Sequence, residues 1–113
     1  MKLKLYWKDL EGNPYILGYL YKEDNKFCFY IVDKEELKKA TRAGCFGIGE
    51  LNLYYRNHTS DTLFEFFKRR IPSRDHVEID KILEELELDE YDEMEILRKT
   101  KGFLNTDRYY LEE

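Results

Sequence analysis

Long apolar runs and a leader-like start are both missing from this sequence. No stretch approaches the roughly 18 apolar residues that a membrane-spanning helix requires. The opening segment, MKLKLYWKDLEGNP, has charges among its apolar residues and no small-residue cleavage site, so we expect no signal peptide. These absences predict a cytoplasmic protein that does not act at a membrane.

Cysteine and histidine are also scarce. Cys28 and Cys45 have no paired metal-binding spacing, and we expect reduced, part-buried thiols, with a disulfide or redox role as the alternative. The only histidines are His58 and His76, and His58 beside Asp61 is typical of a surface residue. No serine stands in a recognisable motif with a histidine and a carboxylate. We therefore expect no enzyme, no metal site and no cofactor.

Two further segments contain residue types that nucleotide-binding or catalytic motifs use. The segment GCFGIG, residues 44–49, reverses the glycine order of a nucleotide-binding loop, and no P-loop lysine follows it. The carboxylates of residues 75–95 are spread as on a solvated helix and are not paired as in a glycosidase. Neither pattern indicates an active site.

Charge is distributed unevenly along the chain. The net charge is -5, yet residues 75–113 hold fourteen acidic residues and five cations, a net of -9. An acidic C-terminal third repels phosphate groups, so we expect no direct binding of nucleic acid. A basic protein partner is compatible with this charge, and a solvated acidic helix face is the alternative.

The 113 residues predict a single domain spanning residues 1–113, too apolar and too aromatic to be disordered. The segments KLKLYW, YILGYLY and KFCFYIVD predict strands, the last two forming a hairpin with Asp24 and Asn25 near its tip. A short helix is predicted from a cap at Asp33 to Gly44. The segment CFGIGELNLYYR predicts a further strand.

The second half predicts helices, the first of them within NHTSDTLFEFFKRRIP, residues 57–72. Ser60 or Thr59 is the expected cap, with Thr62 and Glu65 as an alternative capping box. Pro72 ends the helix. Its core stripe and its outer side are assigned by helical spacing. The core stripe comprises Leu63, Phe64, Phe67 and Ile71, whereas Phe66, Arg69 and Arg70 are expected on the outer side.

Two more helices and a closing strand follow. The second helix is expected to begin near residues 73–75 and to bury a stripe of isoleucine and leucine. The third is expected to run from a cap at Asp92 to Gly102, and DRYYLEE predicts the strand. The fold class is therefore α+β, with an antiparallel β-sheet from the N-terminal half and the closing C-terminal strand, packed by about three helices.

The segment TSDTLFEFFKRRIPSRD resembles a motif in the N-terminal subdomain of HipA-type toxin kinases. That motif is a helix with Phe-Phe, a short gap, an apolar residue and then proline. Residues 91–97 resemble the family's next helix, residues 102–111 its closing strand, and LYWKDLEGNPYILGYL its first hairpin. The family's Ser-x-Ser-Leu-Pro strand is replaced by GIGELNLYY. The matching structural positions are Ser60, Asp61, Phe64, Phe67, Pro72 and Gly102.

The resemblance implies a function without catalysis. The printed sequence ends where a HipA-type kinase would begin its second subdomain and its catalytic core. It is thus similar to the small HipS-like proteins of split toxin-antitoxin systems, which bind a Ser/Thr kinase that lacks its own N-subdomain. The expected role is that of an antitoxin on the kinase N-lobe, with Phe66, Arg69 and Arg70 as the contact residues. A DNA-binding antitoxin is an indirect partner through the kinase complex.

Three alternatives stay open on the sequence alone. The first is an activating or stabilising subunit of a split kinase. The second is a protein-interaction adaptor unrelated to kinases, and the third is a small enzyme whose site the sequence hides. In the adaptor alternative, the acidic helices are the binding face. A neighbouring reading frame for a short kinase separates the kinase interpretations from the adaptor.

Overall fold

A computed structural model describes all of residues 1–113. Five strands form one antiparallel sheet in the order β4-β3-β2-β1-β5. The α+β class predicted from the sequence is confirmed. The strands are β1 (Lys2–Lys8), β2 (Pro14–Glu23), β3 (Lys26–Ile31), β4 (Asn57–Ser60) and β5 (Tyr109–Glu112). The helices are α1 (Lys34–Ala43), α2 (Glu65–Lys68), α3 (Ile79–Glu85) and α4 (Glu93–Thr100). None of the four helices combines the length and the apolar character needed to cross a lipid bilayer.

The first three strands and α1 form where the sequence predicts them. The turn between β2 and β3 is made by Asp24 and Asn25, whose φ angles of 51° and 63° match the left-handed positions of a tight hairpin. Asp33 caps α1 by accepting a hydrogen bond from the Glu36 amide at 3.0 Å. Gly44 ends the helix in the left-handed conformation, with φ at 114°.

The prediction of a strand over residues 45–56 is wrong. This segment turns back on itself, and an isolated β-bridge joins its residues Ile48 and Leu51. Gly47 and Gly49 have φ angles of 123° and 53°, which a pleated strand does not accommodate. The fourth strand is instead β4, which pairs with β3 and lies where the sequence predicts a helix entry.

The helix predicted within residues 57–72 is consequently reduced to the single turn of α2. Ser60 ends β4 opposite Phe27, and neither Ser60 nor Thr59 caps a helix. The capping box of Thr62 and Glu65 is absent too, because Phe64 is the residue before α2 and makes no side-chain cap. The backbone of Thr59 and Ser60, the predicted cap residues, pairs instead with the edge of β3. Its pairing with β4 adds long-range hydrogen bonds that a local helix pattern cannot reveal.

The later helices are close to their predicted positions. α3 begins at Ile79, later than predicted, because side chains of Ser73 and His76 accept backbone hydrogen bonds two residues onward and form turns. Asp92 caps α4 as predicted, accepting from the Glu95 amide at 3.2 Å. The chain then leaves α4 through Lys101 in the left-handed conformation, next to Gly102.

The hydrophobic core lies on one face of the sheet. Ring centroids of Phe29 on β3 and Phe67 on α2 are 5.4 Å apart, so α2 packs directly on this face. The same cluster includes Ala40 of α1 and Leu97 of α4. We call this side of the sheet the core face. Its principal strand residues are Leu3, Leu5, Trp7, Leu20, Phe27, Phe29, Ile31 and Leu111.

Candidate docking surface on the sheet

The residues predicted to contact a partner do not form one exposed surface. Phe66 is 2% exposed, and its ring lies 5.1 Å from that of Phe67. The Arg70 side chain is 1% exposed, whereas Arg69 beside it is exposed to solvent. The expectation that Phe66 and Arg70 lie on the outer side was therefore wrong. Because α2 is only one turn long, the face assignment made for a three-turn helix does not apply.

Arg70 is the centre of a buried polar cluster. Its guanidinium pairs with the Asp107 carboxylate, at 2.6 Å from Nη2 to Oδ2 and 3.2 Å from Nη1 to Oδ1. It also donates to the carbonyl oxygens of Phe66 and Gly102, at 3.1 Å and 3.0 Å. The guanidinium carbon lies 4.3 Å from the Phe66 ring centroid. Arg70 thus fastens α2 to the segment before β5, which is a structural role.

Tyr109 connects this cluster to the glycine-rich loop. Its hydroxyl donates to the carbonyl oxygen of Gly47 and lies 3.8 Å from the Cys45 sulfur. Burial, and secondarily the nearby Cys45, raises the pKa of Tyr109 far above the usual range of tyrosine. Cys28 and Cys45 are both free, and both are buried rather than part-buried as predicted.

The structural positions predicted from the HipA-type resemblance differ in their burial. Phe67 is fully buried and Phe64 is half-buried against the core. The Pro72 carbonyl accepts a hydrogen bond from the Tyr91 hydroxyl at 2.7 Å. Gly102 has a φ of 61°, and a Cβ there would lie 2.9 Å from Leu111 Cδ1. Asp61 is exposed and forms an ion pair with Lys26 at 3.5 Å.

A surface that the sequence analysis missed lies on the other side of the sheet. We call it the open face, and it consists of the strand residues that the pairing register turns away from the core. None of its side chains belongs to the core cluster of sheet and helices. Five of the ten tyrosines lie here. The open face comprises Lys2, Lys4, Tyr6, Lys8, Pro14, Ile16, Tyr19, Tyr21, Glu23, Lys26, Cys28, Tyr30, Asn57, Thr59, Tyr110 and Glu112.

Aromatic rings on the open face pack against one another across the strands. Tyr6 and Tyr110 are stacked with centroids 5.2 Å apart, and Phe103 stacks on Tyr110 at 5.7 Å. Phe103 is nevertheless 56% exposed. Farther along the sheet, Tyr19 and Tyr30 are 6.5 Å apart in a tilted arrangement. Tyr110 itself is only 8% exposed, whereas Tyr6, Tyr19 and Tyr30 are half-buried. Rows of tyrosine that are partly open to solvent are typical of protein-binding surfaces.

Cations lie among these rings. The ammonium of Lys2 is 5.4 Å from the Tyr21 ring, that of Lys8 is 4.9 Å from Tyr110, and the Arg56 guanidinium is 4.5 Å from Tyr30. Burial raises the pKa of both Tyr21 and Tyr110, so these phenols stay neutral and remain hydrogen-bond donors. Lysine or tyrosine at every second position of β1, together with Tyr19 and Tyr21 on β2, is the sequence signal that could have identified this face.

The structure contains no group of three or more His, Cys, Asp and Glu side chains placed to hold a metal ion. Comparison of the chain with protein-family models, curated proteins and solved structures gives no match.

Proposed function

We propose that the protein is a non-catalytic partner of a HipA-type Ser/Thr kinase that lacks its own N-subdomain. In this role it acts as the antitoxin of a split toxin-antitoxin system in the cytoplasm. A DNA-binding antitoxin joins the assembly only through the kinase. The observation that carries the proposal is the open face, a tyrosine-rich sheet surface that lies apart from the core cluster of the chain's own helices.

The composition of this surface supports binding to a folded protein. Tyrosine presents a large rigid ring and a polar tip, and loses little conformational entropy on binding. The rings of Tyr6, Tyr19 and Tyr30 are held by their neighbours before any partner arrives. Such preorganisation lowers the free-energy cost of forming an interface. A kinase N-lobe that lacks its own N-subdomain is the partner suggested by the HipA-type resemblance of residues 59–72.

The docking surface of the proposal differs from the one predicted from the sequence. Phe66 and Arg70 are not contact residues in this proposal, because both are buried. Arg69 is exposed, and its guanidinium lies 5.7 Å from the Phe66 ring. Its contact with the kinase stays a prediction, and the open face supplies the main contact surface.

Co-expression with a HipA-type kinase from the native host that lacks its own N-subdomain tests the proposal. We expect the two proteins to co-purify as a stable complex, and we expect the chain to relieve the growth arrest that the kinase causes alone. Kinase expressed without the chain serves as the negative control. A kinase that elutes free of the wild-type chain would contradict the proposal.

The direction of regulation is measured in the same material. Kinase autophosphorylation, followed with and without added chain, falls if the chain is an antitoxin. A rise in activity would replace the antitoxin with an activating subunit, while leaving the kinase partnership intact. The chain alone is expected to show no binding of ATP with magnesium by calorimetry, because we propose no catalytic role for it.

A further inference from the structure

Three of the four lysines on the open face lack acidic partners within the chain, whereas Lys26 pairs with Asp61. Lys2, Lys4 and Lys8 are exposed, and none of them takes part in any of the structure's salt bridges. On a chain with a net charge of -5, unpaired cations on one face are a specific local feature. They give this side of the sheet a charge opposite to that of the whole molecule.

Positively and negatively charged side chains are concentrated in different parts of the fold. The strand residues of the open face include four lysines and two glutamates, and Arg56 over Tyr30 adds a fifth cation. Glu112 forms an ion pair with Lys101, with 3.4 Å between Oε1 and Nζ. The acidic residues 75–95 belong instead to α3, α4 and their connecting segments. The open face is therefore basic although the net charge of the whole chain is negative.

We infer that the open face binds an acidic protein surface, in which partner carboxylates meet the β1 lysines and the tyrosine hydroxyls. This inference rests on the proposed function for the identity of the partner, a kinase N-lobe with an acidic patch. Charge complementarity of this kind accelerates association and fixes the orientation of the two proteins. Tyrosine rings between the lysines provide the apolar centre, and their hydroxyls donate hydrogen bonds to carboxylates.

Single-stranded nucleic acid fits the open face less well. Base stacking needs free ring faces, and positive charge must follow the phosphate backbone. Here Tyr110 is stacked against both Tyr6 and Phe103, while cations occupy one side of Tyr21 and Tyr30. The surface thus presents ring edges, hydroxyls and ammonium groups, which suit carboxylates better than bases.

Two triple variants with the same change in net charge test the inference. The open-face variant is Lys2→Gln, Lys4→Gln, Lys8→Gln. The control removes three exposed lysines of α1, α3 and α4, none of them in a salt bridge, as Lys34→Gln, Lys81→Gln, Lys99→Gln. Thermal unfolding of both variants first establishes that each is folded.

The first measurement is the affinity of each protein for the kinase. We expect the open-face variant to bind at least tenfold more weakly than wild type, and the control variant to bind within twofold. Wild-type affinity should also fall as sodium chloride is raised from 50 to 300 mM, roughly in line with charge screening. Equal affinities of the two variants would overturn the inference and leave the kinase partnership standing.

A second measurement does not need the kinase. Amide NMR spectra of the wild-type chain are recorded with a decaglutamate peptide and, separately, with a ten-nucleotide oligo-dT. We expect the peptide to shift amide signals of β1, β2 and β5, and the open-face variant to lose those shifts. No shift on these strands, shifts confined to α1, or stronger binding of oligo-dT would each overturn the inference. If the wild-type chain and the kinase do not associate, the proposed function fails and this titration still decides the inference.

Discussion

The two faces of the sheet use the same strands and neighbouring residues, yet they have different physical tasks. On the core face, Leu3 and Leu5 are completely buried under the helices. On the open face, Lys4 lies between them in sequence and is exposed. The core face is accounted for by folding alone, because burial of apolar area stabilises it. The open face carries half-buried tyrosines and three lysines without salt bridges, which is the basis of the proposed docking role.

The largest expected contrast between the faces comes from two phenylalanines. Phe66→Ala removes a buried ring on the core side and should destabilise the chain by about 3–5 kcal/mol. Phe103→Ala removes a half-exposed ring beside the open face, so its effect should stay below about 1 kcal/mol. Urea unfolding of both variants measures the difference. Equal losses of stability would show that the Phe103 ring is as deeply buried in solution as the Phe66 ring.

Arg70 and Arg69 provide a contrast between a buried and an exposed cation. Arg70→Ala leaves Asp107 without its ion pair and two carbonyl oxygens without their donor, and should destabilise by about 3 kcal/mol or more. Arg69→Ala should change the free energy of unfolding by less than about 0.5 kcal/mol. Guanidinium chloride unfolding compares the two variants. An Arg70→Ala variant as stable as wild type would mean that the buried cluster does not hold α2 in place.

Gly18 tests how tightly the core face is packed. It lies opposite Leu5, and a Cβ at this position would lie 2.5 Å from both Phe29 Cζ and the Tyr30 carbonyl oxygen. Gly18→Ala should therefore destabilise by about 1–3 kcal/mol through overpacking. Lys4→Ala on the opposite face is the matched control, with a change below about 0.5 kcal/mol. A smaller loss for Gly18→Ala than for Lys4→Ala in thermal unfolding would reverse the assignment of the faces.

Alkaline pH gives the smallest of the expected contrasts. Because burial raises the pKa of Tyr109 in the folded chain, its contribution to stability is complete below pH about 10 and declines above it. Tyr109→Phe should make the fall of the melting temperature between pH 9 and 11 shallower. Tyr21→Phe, on the open face, should change that slope less. An unchanged slope for Tyr109→Phe would show that the phenol is hydrated when folded.

Local patterns in the sequence were sufficient for part of the fold. Alternation identified β1, β2 and β3, while Asp33 and Asp92 identified the starts of two helices. The strand β4 was missed because its pairing with β3 is long-range and its four residues, NHTS, carry no apolar alternation. The burial of Arg70 was missed because Asp107, its partner, is 37 residues away. The open face was missed because net charge averages over both sides of the sheet.

Footprinting of lysines tests the central claim, that the open face is the docking surface, most directly. The chain is acetylated free and in complex with the kinase, and the modification of each lysine is followed by mass spectrometry. We predict that Lys2, Lys4 and Lys8 become protected in the complex, whereas Lys81 and Lys99 remain as reactive as in the free chain. Protection of Lys81 and Lys99 with no change at Lys2, Lys4 and Lys8 would contradict the account and place the kinase on the acidic helices.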